Sequence, residues 1–182
     1  MPTRAEWAAQ PLDKRLDRLA RTPDDLDALI RGRSDADLSR RPDARNWAAK
    51  EIVCHLRDIE ELAVLRFRMM LWTDEPKVPA AFLPTDRRAW GLLEDGAMLV
   101  DPDRWAEERQ YLRAEAGAAV AAFRRRRADT LAFLSRLDGS QWPRGSLHPT
   151  LGRFTFEDWV SLLAGHDDNH LAQLERALDG RV

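Results

Sequence analysis

Phe154-Thr155-Phe156-Glu157-Asp158-Trp159, running on through Val160-Ser161-Leu162-Leu163-Ala164-Gly165 to His166-Asp167-Asp168-Asn169-His170-Leu171-Ala172-Gln173, is the stretch that decides the fold. Thr155 reads as an N-cap, with Asp158 at the third helical position and Phe154 placed to pack on Trp159 as a hydrophobic staple. From there to Asp179-Gly180 the buried stripe is Phe156, Trp159, Leu163, His166, His170, Leu174 and Leu178, which is helical spacing. Two histidines stand in that stripe, four residues apart, so both rings leave the same side of the helix and can chelate one ion.

Working outward, apolar positions recur at helical spacing nearly everywhere, and no convincing strand is found. The first helical region reads as two pieces, one striped by Leu12, Leu16 and Leu19, the other by Leu26, Leu29 and Ile30. Thr22-Pro23 between them reads as an N-cap followed by a first-position proline. Ser34 to Arg41 reads as a short capped turn. A second long helix is expected from about Asn46 to Trp72, striped by Ile52, His55, Leu56, Ile59, Ala63, Phe67 and Met70. A third is expected from Asp101-Pro102 to Leu137, with Gly117 as a bend, and Pro143 to Gly152 reads as a loop. The connection over 73–100 is long for a bundle loop and contains an expected short helix from Asp86 to Glu94. It could lie as a lid over the site. A long link is what parallel neighbours need, since the chain must return a helix length of roughly 40 Å. The fold expected is therefore an all-α, up-down-down-up four-helix bundle in one domain, residues 1–182.

Composition narrows the function. The 182 residues carry 29 Lys+Arg against 31 Asp+Glu, a net charge of −2, which argues against a nucleic-acid binder. Seven Trp and six Phe among 44% hydrophobic residues give the chain a core to build. Cys54 is the single cysteine, so neither an intramolecular disulfide nor a cysteine-rich zinc site can form. It lies about 100° around the helix from His55, as a small buried residue would. No apolar run suits a membrane span and the N-terminus lacks a signal-like apolar region, so a cytoplasmic protein is expected.

His55 supplies a third imidazole. It lies one third along its helix, and in an antiparallel pairing it meets His166 and His170 at the same level. Three neutral imidazoles suit Zn²⁺ or Ni²⁺ first, then Fe²⁺, Mn²⁺ or Cu²⁺, and they leave a coordination position open. The alternative is three core histidines hydrogen-bonded to acids, which is costly in one bundle interior. The spacing lacks the glutamate of HExxH, which disfavours peptide hydrolysis. Glu51, one turn before His55, is a candidate catalytic group. So is Arg127, inside the third helix's stripe, where it anchors a substrate carboxylate or, as expected first, pairs with Glu51 or another acid. Asp167 and Gln173 could orient the rings. His148 could line the site mouth, although a structural role is expected first.

Trp47-x₃-Glu51-x₃-His55-Leu56-x-Asp58, together with His166-Asp167-x-Asn169-His170-Leu171-x-Gln173 and the loop Gly145-x₂-His148-Pro149-x₂-Gly152-x₂-Thr155, resembles the DinB/YfiT-like superfamily. The likeness covers residues 10 to 179. It implies a divalent metal held by His55, His166 and His170, a homodimer, and kinship with transferases that use a low-molecular-weight thiol such as bacillithiol or mycothiol. The functional expectation is thus a metal-dependent enzyme acting on a small molecule, with an S-transferase slightly ahead of a hydrolase. The alternative is a non-catalytic, stress-related bundle whose ion staples the second helix to the fourth.

Overall fold

The computed structural model describes residues 2–78, 80–81, 99–148 and 151–182. The expected helix Asp86–Glu94, and most of the connection read as a lid, lie outside the described residues. Four long helices form the bundle: α2 (Leu12–Ile30), α4 (Ala49–Trp72), α6 (Ala116–Leu134) and α7 (Phe156–Leu178). Around them lie α1 (Arg4–Ala8), α3 (Asp35–Ser39), α5 (Pro102–Glu108) and a 3₁₀ turn, Tyr111–Arg113. No helix among the described residues is long and apolar enough to cross a membrane.

Side-chain pairs fix the helix directions. Along α4 and α6, Asp58 meets Arg126, Glu60 meets Arg127 and Phe67 meets Phe133, so these two run parallel. Along α2 and α7, Arg15 meets Glu157 and Thr22 meets Asp167, again parallel. Leu19 with Arg127 and Asp24 with Arg124 set α2 antiparallel to α6. The order is up-down-down-up, as expected, with the long crossover joining the parallel pair α4 and α6.

Four local expectations are corrected. First, α2 is continuous through Pro23. Proline cannot donate to the Leu19 carbonyl one turn back, and the Arg127 guanidinium donates there instead at 2.9 Å. Second, the expected helix from 102 to 137 is broken between Glu108 and Ala116 and stops at Leu134. Gln110 adopts a left-handed conformation, Tyr111 turns fully inward with its hydroxyl on Asp58 at 2.8 Å, and Glu115 caps the restart by accepting from the Gly117 and Ala118 N–H groups. The break therefore precedes Gly117. Third, the expected loop over 143–152 contains a hairpin, β3 (Gly145–His148) with β4 (Gly152–Thr155), turned with Gly152 at φ +76°. A second, two-residue pair joins 80–81 to 99–100 in parallel. Fourth, α4 starts at Ala49 rather than Asn46, because Asp43 accepts from the Arg45 and Asn46 N–H groups in the preceding turn.

The apolar core comes in two blocks. On α4 the first ends at Leu56 and the second begins at Ile59; on α7 the second ends at Ala164 and the first begins at Leu171. A polar belt crosses the bundle at this boundary, with His166 and His170 between the blocks on α7 and His55 at the edge of the first block on α4. Beside it, α1 packs so closely on α7 that a Cβ at Gly165 would lie 3.2 Å from the Arg4 nitrogen.

Candidate metal centre

Because α4 and α7 run antiparallel, His55 from one faces His166 and His170 from the other. The Nε2 atoms of His55 and His166 are 3.2 Å apart, and the ligand nitrogens of the three rings all lie within 4.8 Å of one another. Nitrogens on a tetrahedral ion at 2.0–2.1 Å would sit roughly 3.3 Å apart, so one pair already has that spacing and small ring rotations bring in the third.

Burial keeps these histidines neutral, reinforced at His55 and His166 by the neighbouring rings. His55 is pushed down to about 3 by burial and then by His170; His166 is held well below the usual range by burial and both partners. Burial also lowers His170, partly opposed by its hydrogen bond to Gln173. Gln173 Oε1 lies 2.7 Å from His170 Nδ1, which places the ring proton on Nδ1 and leaves the Nε2 lone pair for a ligand role. The Nδ1 atoms of His55 and His166 are buried without a partner. His55 is buried and the other two rings are half-buried, and polar rings so enclosed with so few hydrogen bonds are unfavourable in the chain alone. The donor set therefore fits a divalent ion. Among the described residues this is the group of histidine, cysteine or acidic side chains able to hold one.

Asp167, expected to orient a ring, is engaged elsewhere, as is its neighbour Asp168. Asp167 accepts from Arg127 at 2.6 Å and from the Thr22 hydroxyl at 2.6 Å. Asp168 accepts from Trp7 Nε1 at 2.8 Å and pairs with Arg18 at 3.0 Å. Arg127 is fully buried and bonds Leu19 of α2, Glu60 of α4 and Asp167 of α7, so one α6 side chain ties the four bundle helices together. Burial would lower its pKa, but the Asp167 and Glu60 carboxylates raise it well above the ordinary arginine value. Its acid partners are thus these two and not Glu51. Glu51 closes the start of α4, accepting from the Ala48 N–H at 2.9 Å and from Arg41 through both carboxylate oxygens. Neither Glu51 nor Arg127 is among the residues lining the cavity above the histidines.

That cavity has a volume of about 340 Å³. Trp47 walls it, 4.9 Å from the His55 ring and stacked at 6.4 Å on His170, with its Nε1 donating to Asp103 at 3.0 Å. Ile59, Leu162, Leu163 and Trp159 make it largely apolar, and His148 and Arg66 reach into its lining. His148 arrives on β3, so the hairpin the sequence reading missed delivers a fourth histidine to the same cavity. Arg66 was also missed, although its spacing of eleven residues from His55 is three helical turns and marks a shared face. Cys54 is buried, its thiol pushed up to about 11 by burial, with Sγ 4.0 Å from the Tyr111 carbonyl.

Comparison with known proteins agrees with this architecture. Residues 18–174 match the model of the DinB superfamily. The chain is 22% identical over 153 residues to the uncharacterized protein YuaE of Bacillus subtilis strain 168, covering 80% of this chain and 86% of that one. Its fold is similar to that of YfiT from Bacillus subtilis, described as a probable metal-dependent hydrolase with an unusual four-helix bundle topology. The TM-score is 0.76 at 22% identity, over 91% of this chain and 85% of YfiT.

Proposed function

The chain belongs to the DinB superfamily, and from that premise we propose that it is a divalent-metal-dependent enzyme for a small molecule, with His55, His166 and His170 as the ligands. The observation that carries this reading is the convergence of three neutral imidazoles on the floor of a cavity rather than in a closed core. A structural site is closed by four protein ligands, whereas three leave a position for water or substrate. When bound, a divalent ion there supplies a Lewis acid and lowers the pKa of whatever water or thiol completes its coordination.

The chain's own residues supply the rest. Gln173 holds the His170 tautomer, Trp47 shields the rings from solvent, and the apolar walls exclude bulk water and strengthen electrostatics at the floor. Glu51 and Arg127 hold the framework that carries the histidines. Water is favoured as the nucleophile by the likeness to a fold described as a probable metal-dependent hydrolase. A thiol-transfer reading remains on one observation: Cys54 is buried with a raised pKa, so a sulfur nucleophile would have to be a small thiol from outside.

The test is cobalt substitution. Co²⁺-loaded protein should show visible bands that shift when azide or a small thiol is added, because a position is exchangeable. Bands indifferent to both, at full occupancy, would mean a closed site and a stapling ion.

A further inference from the structure

We propose that Trp47 sets the specificity of the open coordination position: pinned by Asp103, its indole receives a compact, uncharged, apolar group next to the substrate's reacting centre and disfavours a charged one. This rests on the metal-centre reading above and adds the substrate class to it.

Trp47 is fixed at both ends. Its neighbours in the chain are held by carboxylates, since Asp43 accepts from the Asn46 N–H at 2.9 Å and Glu51 from the Ala48 N–H at 2.9 Å. At the far end its Nε1 donates to Asp103 of α5 at 3.0 Å. Between these points the ring packs against the first core block and flanks two of the histidines. It is tilted 4.9 Å from His55 and near-parallel to His170 at 6.4 Å. Those two rings come from different helices, with centroids 4.6 Å apart, so the indole covers the centre where α4 meets α7. Asp103 itself is exposed and acts through Trp47, as a positioning residue.

The bond to Asp103 takes the indole's one polar hydrogen, so what the ring offers the cavity is carbon. Ile59, Pro102, Leu162 and Leu163 add more, and no carboxylate is found among the described lining residues. A charge set against such a wall gives up hydration without a partner, whereas an apolar group gains by leaving water. The cationic lining residue, Arg66, lies over Trp159 at 4.7 Å and is already engaged. Trp159 precedes His166 by seven residues, about 10 Å along α7. A group two carbons removed from an atom on the ion reaches about 5 Å, and so stops beside Trp47. At roughly 30 Å³ for a water-sized group, the cavity of about 340 Å³ holds about ten non-hydrogen atoms, which keeps the substrate small.

The test uses thiols of one shape, HS–CH₂–CH₂–X, that differ in the charge of X. In 3,3-dimethylbutane-1-thiol X is a neutral tert-butyl group, in thiocholine it is trimethylammonium, and in 2-mercaptoethanesulfonate it is sulfonate. Each is titrated by calorimetry against Co²⁺-loaded wild type, Trp47→Ala, Asp103→Ala and Asp103→Asn, with cobalt content and helicity measured throughout. The neutral thiol should bind wild type tenfold or more tighter than either charged one. Trp47→Ala should lose that preference and Asp103→Ala part of it. Asp103→Asn, which keeps an oxygen for the indole N–H, should retain it, all at wild-type cobalt content. A charged thiol that binds wild type as tightly as the neutral one, or a preference that survives in Trp47→Ala, would overturn the proposal while leaving the metal centre standing. A preference untouched in Asp103→Ala would overturn the pinning. Failure of wild type to retain cobalt would instead overturn the metal centre, and this proposal with it.

Discussion

Gln173 acts on one proton. Its carbonyl oxygen accepts the Nδ1 hydrogen of His170, which favours the tautomer that leaves the Nε2 lone pair free. Replacing it by leucine keeps the size and removes the acceptor. Gln173→Leu should therefore weaken zinc binding by about 10–100-fold, the range for losing a group that orients a ligating histidine, while thermal stability without metal changes little. Competition with a chromophoric chelator measures this directly; unchanged affinity would show that Gln173 does not orient the ring. Its contact with His170 was legible from sequence, since Gln173 stands three residues on along the same helix. That of Asp167 was misjudged from the same spacing, because nothing local reveals that Arg127 and Thr22 claim its oxygens.

At the scale of elements, Pro23 and Arg127 solve each other's problem. The proline leaves the Leu19 carbonyl without its helical donor, and the arginine gains a neutral acceptor beside its two acids. Arg127→Met leaves Glu60 and Asp167 as uncompensated buried carboxylates and should cost about 3–5 kcal/mol in urea unfolding. In a Pro23→Ala background the restored N–H takes the Leu19 carbonyl, so the same change should cost about 1 kcal/mol less. Strict additivity would mean that the carbonyl contact carries no weight. This is also why the two-piece reading of the first helix failed: the signal at Thr22-Pro23 is local, whereas its remedy comes from more than a hundred residues away.

Asp58 has a comparable role for the broken third helix. Burial would raise its pKa, but hydrogen bonds from Arg57, Tyr111 and Arg109 outweigh this and hold it at about 2. A carboxyl depressed in the folded state stabilises above its unfolded pKa and loses that stabilisation as pH falls toward the folded value. The window here is about pH 4 down to 2, with a contribution on the order of 2 kcal/mol. In Asp58→Asn that part of the acid-unfolding profile should disappear, and an unaltered profile would count against the ion cluster. The helical periodicity of 101–137 hides this junction, since Tyr111 and Leu112 fit a helix stripe equally well.

For the whole molecule, bundle order was legible because helical stripes and one long connection constrain it strongly. The three-histidine centre was legible because antiparallel α4 and α7 bring one third of one helix against two thirds of the other. The cavity above it was not, since it needs the hairpin that carries His148 and the turn-by-turn register that sets Arg66 over Trp159. The polar belt between the two core blocks is where the bundle has most to gain from an ion. At about 100 times its dissociation constant a bound ion adds about 2.7 kcal/mol, which for this chain length should raise Tm by roughly 5–10 °C. The rise should be absent in His55→Ala.

The most direct measurement is elemental analysis of protein purified without a histidine tag, beside His55→Ala and His170→Ala. About one divalent ion per chain in the wild type, lost from both variants while helicity persists, is the predicted result. A wild type that retains no ion after reloading with Zn²⁺, Ni²⁺, Mn²⁺ and Fe²⁺ would contradict the account.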